Sequence, residues 1–61
     1  MFQPGKLYRH ISTLDIDLFI SGILPTGSVI VRYWNRHYKM FQGNQEVVVI
    51  KESDYSKWSE V

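Results

Sequence analysis

Residues 28 to 34 read Ser-Val-Ile-Val-Arg-Tyr-Trp and give the clearest secondary-structure signal in the chain. β-Branched and aromatic residues dominate this stretch, and such side chains fit the pleated surface of a strand. Side chains alternate between the two faces of a strand, so the stretch divides into two sets. One set is apolar and predicts a buried face: Val29, Val31 and Tyr33. The other set mixes aliphatic, basic and aromatic groups: Ile30, Arg32 and Trp34.

A tight turn is predicted at Asn35-Arg36-His37, and a returning strand is predicted from Tyr38 to Gln42. Two turn positions stay open, Asn35-Arg36 and Arg36-His37, because neither contains the glycine that two-residue hairpin turns favour. They give different opposite pairs: Trp34–His37 with Arg32–Lys39, or Trp34–Lys39 with Arg32–Phe41.

Both registers predict the same two faces for this hairpin. The apolar face comprises Val29, Val31, Tyr33, Tyr38 and Met40. The opposite face comprises Ile30, Arg32, Trp34, Lys39 and Phe41, joined by His37 in at least the first register. Aromatic residues and arginine are typical of protein-binding hot spots, and aromatic rings with basic groups also suit single-stranded nucleic acid. A structural interpretation stays open as well, in which the basic side chains only cover Trp34 and Phe41. We predict these partner-binding residues: Arg32, Trp34, Arg36, His37, Lys39 and Phe41.

The segment before this hairpin predicts two more strands. Pro4-Gly5 is a turn signal, and Lys6 to His10 is predicted as the first strand. Residues 14 to 20 alternate strictly, which favours a half-buried strand. A helix is the alternative there, because Ser12 and Asp15 have the spacing of a capping box and Gly22 could end it. Pro25-Thr26-Gly27 predicts the following turn.

Asp15 and Asp17 lie between the apolar positions of this alternating segment. On a strand they would share one face, a spacing that could suit a cation or acid–base chemistry. The pattern favours the simpler interpretation that both belong to a solvated strand face.

The C-terminal part predicts a turn at Gly43-Asn44-Gln45 and a strand from Glu46 to Ile50. The run of three valines and an isoleucine is apolar on both sides, which is typical of a central or well-covered strand. Ser53-Asp54-Tyr55 predicts a short helical turn with Ser53 as its cap. Trp58 to Val61 is predicted as a last strand or as part of a terminal helix, with Tyr55 and Trp58 closing the core.

Together these elements predict one mainly β domain over residues 1–61. In a small chain, a sheet of five or six short strands protects the unpaired backbone groups of its edge strands best by curling. We therefore predict a small SH3-like barrel or a strongly curled antiparallel meander, with a short helical turn near the C-terminus.

Composition narrows the functional classes. The chain has no cysteine, and His10 and His37 stand far apart, so neither a disulfide nor a metal site is expected. A net charge of +1 does not support binding of nucleic acid through the overall charge of the chain. No nucleophile motif or phosphate-binding glycine loop occurs, so we expect no enzymatic activity, no catalytic residues and no cofactor. No apolar run suits a membrane span and no signal-peptide pattern opens the chain, so a cytoplasmic protein is expected.

Several segments of the chain also resemble those of known protein families. The first resemblance rests on the segments Lys6-Leu7-Tyr8-Arg9-His10, Asp15-Ile16-Asp17, Trp34-Asn35-Arg36, Val49-Ile50, Ser53-Asp54-Tyr55 and Trp58-Ser59-Glu60-Val61. With them the chain resembles short orphan accessory proteins of large tailed bacteriophages, which implies a role in the host cytoplasm. Leu7-Tyr8 and Ser53-Asp54-Tyr55 are also similar to the ends of eukaryotic SH3 domains. The acidic loop and paired tryptophans of that family are missing, so binding of proline-rich peptides is not expected.

The sequence thus predicts a non-enzymatic binding module that binds and modulates a host or viral protein. One alternative is a small barrel that binds single-stranded RNA or DNA. A second is a structural homo-oligomer.

Overall fold

The computed structural model describes residues 2–61 and places five strands in one antiparallel sheet. The strands are β1 (Leu7–His10), β2 (Ile16–Ile23), β3 (Val29–Asn35), β4 (Met40–Val48) and β5 (Trp58–Glu60), and a 3-10 helix (Glu52–Lys57) precedes β5. Their order in the sheet is β4-β3-β2-β1-β5. The last strand therefore returns to pair with the first, an order consistent with an SH3-like arrangement. The mainly β fold and the C-terminal helical turn are confirmed, but within residues 2–61 the sheet does not close into a barrel.

The alternating segment is a strand, as predicted, and not a helix. It runs in β2 from Ile16 to Ile23 and pairs with both β1 and β3. Leu14 precedes the strand and is 86% exposed, so the buried alternation begins at Ile16 and not at Leu14. The register with β3 shifts between Ile20 and Gly22, which leaves Ser21 as an extra residue.

The two turns that contain proline and glycine are confirmed. Gly5 donates its backbone N–H to the carbonyl of Ile20 at 2.7 Å, and Gly27 donates to the carbonyl of Leu24 at 2.9 Å. Gly27 has φ +90°, a left-handed conformation that a side chain would strain. This explains why the turn after Pro25 ends on glycine.

Both predicted registers of the β3–β4 hairpin are wrong. The structure pairs Trp34 with Phe41 and Asn35 with Met40, so the turn contains the four residues 36–39. The Asn35 side chain accounts for the longer turn, because its Oδ1 accepts a hydrogen bond from the backbone N–H of Tyr38 at 3.0 Å. Tyr38 therefore lies in the turn with 69% of its surface exposed, and its predicted place on the apolar face is wrong. Met40 is on that face by register but is exposed.

The predicted turn at Gly43-Asn44-Gln45 is also wrong, because β4 continues through it. Gln42 pairs with Tyr33 and Glu46 with Val31, so β4 has two residues more than the β3 segment it opposes. The extra length forms a bulge, and Gly43 takes φ +74° within it. The prediction of a central or well-covered strand for the valine run that follows is also wrong. The run begins at the end of β4, which is an edge strand of the sheet, and its residues Val47 and Val49 are exposed.

The core lies on one face of the sheet, here called the core face. Its buried side chains are Phe2, Tyr8, Leu18, Ile20, Val29 and Val31. Tyr33, Val48, Ile50, Tyr55 and Trp58 pack around them. The Phe2 ring meets the rings of Tyr8, Tyr55 and Trp58 edge-on at 4.7, 5.6 and 5.9 Å. The predicted core closure by Tyr55 and Trp58 is confirmed, whereas the predicted Ser53 cap is wrong: Lys51 occupies the cap position and makes no side-chain cap hydrogen bond.

Candidate functional site

The opposite face of the sheet, here called the outer face, has no helix or strand of residues 2–61 lying over it. The strands all belong to the sheet, and the 3-10 helix reaches the core face through Tyr55. Directly paired residues of an antiparallel ladder point to the same face. The register therefore places these side chains together on the outer face: Leu7, Arg9, Asp17, Phe19, Ile30, Arg32, Trp34, Phe41 and Val47.

Three rings and one arginine form the centre of this face, and we call them the outer aromatic cluster: Phe19, Arg32, Trp34 and Phe41. Phe41 meets Trp34 edge-on at 5.0 Å and Phe19 edge-on at 5.5 Å between ring centroids. The guanidinium carbon of Arg32 lies 4.1 Å from the centroid of the Phe41 ring, a cation–π contact. All four side chains are half-buried. The cluster is thus held in place by its own contacts while part of each side chain still faces solvent.

A buried carboxylate lies beside the cluster. The Asp17 side chain is 1% exposed, and its two oxygens accept hydrogen bonds from Nε and Nη2 of Arg9 at 3.0 and 3.2 Å. Nε of Arg36 lies 3.2 Å from Oδ1 of Asp17 and forms an ion pair that is not aligned as a hydrogen bond. The hydrogen bond to Asp17 raises the pKa of the Arg9 guanidinium above its ordinary value, against the opposing effect of burial.

The prediction that Asp17 is solvated is therefore wrong. Strand alternation shows only that Asp17 points away from the core, and two arginines from other parts of the chain cover it there. Asp15 does not share a strand face with it, since Asp15 precedes β2 and has φ +63°. The backbone carbonyl of Asp15 instead accepts a hydrogen bond from the N–H of Arg36 at 2.7 Å, which joins this loop to the end of β3.

The structure brings together three of the six predicted partner-binding residues, namely Arg32, Trp34 and Phe41. Arg36 lies nearby but is engaged with Asp17. His37 and Lys39 lie in the exposed hairpin turn, where the His37 ring meets the Tyr38 ring edge-on at 4.9 Å. They form a rim beside the cluster and are not part of it.

Phe19 is the member of the cluster that sequence analysis missed. The alternation of residues 14 to 20 already places Phe19 on the face away from the core, together with Asp17. Only the register, which pairs Phe19 with Arg32, brings it to the hairpin.

A small cavity, of about 60 Å³, lies beside the start of β2. It is lined by Thr13, Ile16, Asp17, Leu18, Tyr33 and Trp58. Such a volume is far below that of a typical ligand pocket of roughly 300 Å³ or more. Within residues 2–61 no group of three or more histidine, aspartate or glutamate side chains is placed to hold a metal ion. No helix in the same residues is long and apolar enough to cross a membrane.

Comparison with known proteins finds no matching family model, curated protein or solved structure.

Proposed function

We propose that this chain is a non-enzymatic binding module that docks a protein partner on the outer face of its sheet. The observation that carries the proposal is the outer aromatic cluster, in which three rings and an arginine lie half-exposed on a face that no other element of residues 2–61 covers. Tryptophan and arginine are the residue types most enriched among binding hot spots. Because ring contacts already hold these side chains, binding would cost less side-chain entropy than ordering free ones.

The contacts within the cluster favour a protein over single-stranded nucleic acid. A base needs a free ring face for stacking. The guanidinium of Arg32 already occupies one face of the Phe41 ring, and the rings of Phe19 and Trp34 meet it edge-on. Part of the positive charge nearby is also offset, because Arg9 and Arg36 both pair with Asp17.

The surroundings of the cluster also favour a protein surface. Ile30, Leu7 and Val47 share the outer face by register, so the rings lie in a largely apolar patch. Arg36, His37 and Lys39 provide a polar rim on one side. An apolar centre with a polar rim is the usual anatomy of a protein interface.

The biological setting in this proposal rests on the resemblance to phage accessory proteins. The chain would act in the cytoplasm of an infected bacterium, where it binds and modulates a host or viral protein. An outer face that no helix or strand of residues 2–61 covers fits such a module.

The experiment is capture from bacterial lysate with the full chain as bait, with and without nuclease. Four baits are compared: the natural chain, Arg32→Glu, Trp34→Ala, and Leu14→Ala as a control at an exposed apolar site. We expect one protein to be retained by the natural chain and by Leu14→Ala, to be lost from the other two, and to survive nuclease treatment.

Folding of each variant is checked by its amide NMR spectrum, so that a lost partner is not confused with a lost fold. Arg32→Glu serves as the second probe because it keeps all three rings. Retention that depends on nucleic acid would support the single-stranded RNA or DNA alternative and overturn the proposal. A partner that binds Trp34→Ala and Arg32→Glu as well as the natural chain would also overturn it.

A further inference from the structure

Arg32 differs from the other arginines near the outer face, because no carboxylate neutralises it. Arg9 and Arg36 both pair with the buried Asp17. Arg32 instead contacts the Phe41 ring, with 4.1 Å between its guanidinium carbon and the ring centroid. Within residues 2–61 it forms no ion pair and no side-chain hydrogen bond. Its N–H donors are therefore left to solvent, although its side chain is half-buried.

A partner that covers the outer aromatic cluster must also cover this guanidinium. Arg32 pairs with Phe19 of β2 on one side and contacts Phe41 of β4 on the other, so it lies in the middle of the cluster. Burying a charged group without an opposite charge to bond it is costly. Asp17 is already shared by two arginines. The acceptor for Arg32 therefore has to come from the partner.

The acidic side chains of the chain leave the outer face positive. Within residues 2–61 the strand registers put Asp17 alone among them on the outer face, whereas Glu46 and Glu60 point to the core face. Two more belong to the 3-10 helix, and Asp15 lies exposed in the loop before β2. The cations of the outer face and its adjoining turn are Arg9, Arg32, Arg36 and Lys39. An acidic surface is attracted to such a patch, and a basic one is repelled.

We propose that the partner presents an acidic peptide segment to this face, an inference that rests on the docking proposed above. An aspartate or glutamate carboxylate of the segment pairs with Arg32, and apolar side chains beside it pack on the rings. A carboxylate accepts two parallel N–H bonds from a guanidinium, a match that a single amide oxygen does not provide. Once the rings are covered, water is excluded from the pair and its electrostatic interaction strengthens.

A phosphate group can pair with the same guanidinium, but the ring contacts favour the acidic peptide. Single-stranded nucleic acid binds by stacking its bases on free ring faces as well as by its phosphates. One face of the Phe41 ring already holds Arg32. A peptide needs no free ring face, because aliphatic side chains pack against ring edges and faces alike.

The first measurement is a selection from a displayed library of short random peptides, with the full natural chain as bait. We expect the retained peptides to be enriched in aspartate or glutamate next to leucine or an aromatic residue. Retained peptides without this enrichment, or enriched in lysine and arginine, would overturn the inference.

The second measurement uses the most enriched peptide in two synthetic forms, one acidic and one with each carboxylate replaced by its amide. Both are titrated into the labelled chain and followed by amide NMR. The natural chain is expected to bind the acidic form about tenfold or more tightly, the scale of a covered charge pair. Arg32→Gln should abolish this preference, and Arg32→Lys should recover only part of it, because an ammonium lacks the planar fork of donors.

Lys51→Gln is the matched control for the loss of one positive charge. Lys51 is exposed at the start of the 3-10 helix, which reaches the core face and not the outer face. This variant should keep the full preference for the acidic peptide. An equal loss in Lys51→Gln and Arg32→Gln would overturn the inference, since it would trace the preference to net charge alone.

The remaining outcomes separate this inference from the docking on which it rests. If Trp34→Ala abolishes binding but both peptide forms bind the natural chain equally well, docking on the outer face stands and the acidic partner is wrong. If Arg32→Gln weakens both forms equally, Arg32 acts only by supporting the Phe41 ring, and the inference is again wrong. Peptides that bind elsewhere on the chain would contradict both proposals. So would a thymidine oligonucleotide that binds the cluster more tightly than the acidic peptide.

Discussion

Asp17 is the residue on which the local electrostatics of the outer face depend. Its buried carboxylate is the shared partner of Arg9 and Arg36, whose side chains keep 42% and 31% of their exposure. Removing one partner of a buried charge pair is costly because the remaining charge is left without compensation. Here both arginine side chains are still partly exposed, so the cost is moderated.

We expect Asp17→Asn to lower the free energy of unfolding by about 3 kcal/mol, the lower end of the range for breaking a buried ion pair. Urea denaturation measures this. Asp54→Asn is the control, since Asp54 pairs with Lys57 at the surface and such pairs contribute about 0–1 kcal/mol. Equal losses of unfolding free energy in the two variants would show that the ion pairs of Asp17 with Arg9 and Arg36 do not stabilise the fold.

Tyr33 makes the stability of the sheet sensitive to alkaline pH. Burial first, and then its hydrogen bond and proximity to the Glu46 carboxylate, raise the pKa of the Tyr33 hydroxyl above its ordinary value. The folded state therefore favours the neutral phenol. This contribution is fully present below the unfolded pKa of about 10 and is lost as the pH rises through the folded pKa.

The corresponding prediction compares the natural chain with Tyr33→Phe across pH 8 to about 11, a range chosen to span the tyrosine pKa. At pH 8 the variant should be slightly less stable, because it lacks the hydrogen bond to Glu46. Above the tyrosine pKa its deficit should shrink, since phenylalanine has no proton to lose. Melting curves at each pH give the difference, and a deficit that grows with pH would contradict this account.

The conformation of the β3–β4 turn depends mainly on one side chain, that of Asn35, and less on which residue types the turn contains. Asn35 is buried and uses both ends of its amide: Oδ1 accepts from the Tyr38 N–H at 3.0 Å, and Nδ2 donates to Oε1 of Gln42 at 2.8 Å. The amide thereby connects the end of β3 with the turn and with β4. This links the turn to the register that places Trp34 opposite Phe41.

We expect Asn35→Ala to cost about 1–3 kcal/mol, because it leaves buried polar groups without partners. Asn44→Ala, in the exposed bulge of β4, should change the stability by no more than about 0.5 kcal/mol. Denaturant titration gives both values, and faster amide exchange at Tyr38 should accompany the loss in Asn35→Ala. Exchange at Tyr38 that stays slow in that variant would exclude Asn35 as the determinant of the turn.

At the scale of the strands, the sequence pattern predicted that β2 and β3 are strands and which face each of their side chains occupies. It did not predict which residues pair with each other across neighbouring strands. Strict alternation identified β2 and the two faces of β3, because side-chain direction in a strand depends only on position along it. The β3–β4 register was missed because it depends on the Asn35 amide and on the bulge after Gln42. The burial of Asp17 was missed for a similar reason, since Arg36 reaches it from a distant part of the sequence.

At the scale of the whole molecule, the apolar core and the outer aromatic cluster lie on opposite faces of the one sheet formed within residues 2–61. The core face holds the buried apolar side chains and the closing rings of Tyr55 and Trp58, whereas the outer face holds the outer aromatic cluster and the buried Asp17 carboxylate. Part of the candidate site was therefore predictable, namely Arg32, Trp34 and Phe41 on one face. The addition of Phe19 and the separation of His37 and Lys39 into a rim required the folded register.

Docking on the outer aromatic cluster is tested most directly by the amide NMR spectrum of the labelled chain, titrated with the protein that it captures. We expect the largest shifts at the outer aromatic cluster, Phe19, Arg32, Trp34 and Phe41, and smaller shifts in the turn residues 36–39. Signals of the core-face residues Phe2 and Tyr55 should stay in place. Largest shifts at Phe2 and Tyr55, with the outer aromatic cluster unchanged, would contradict docking on this cluster.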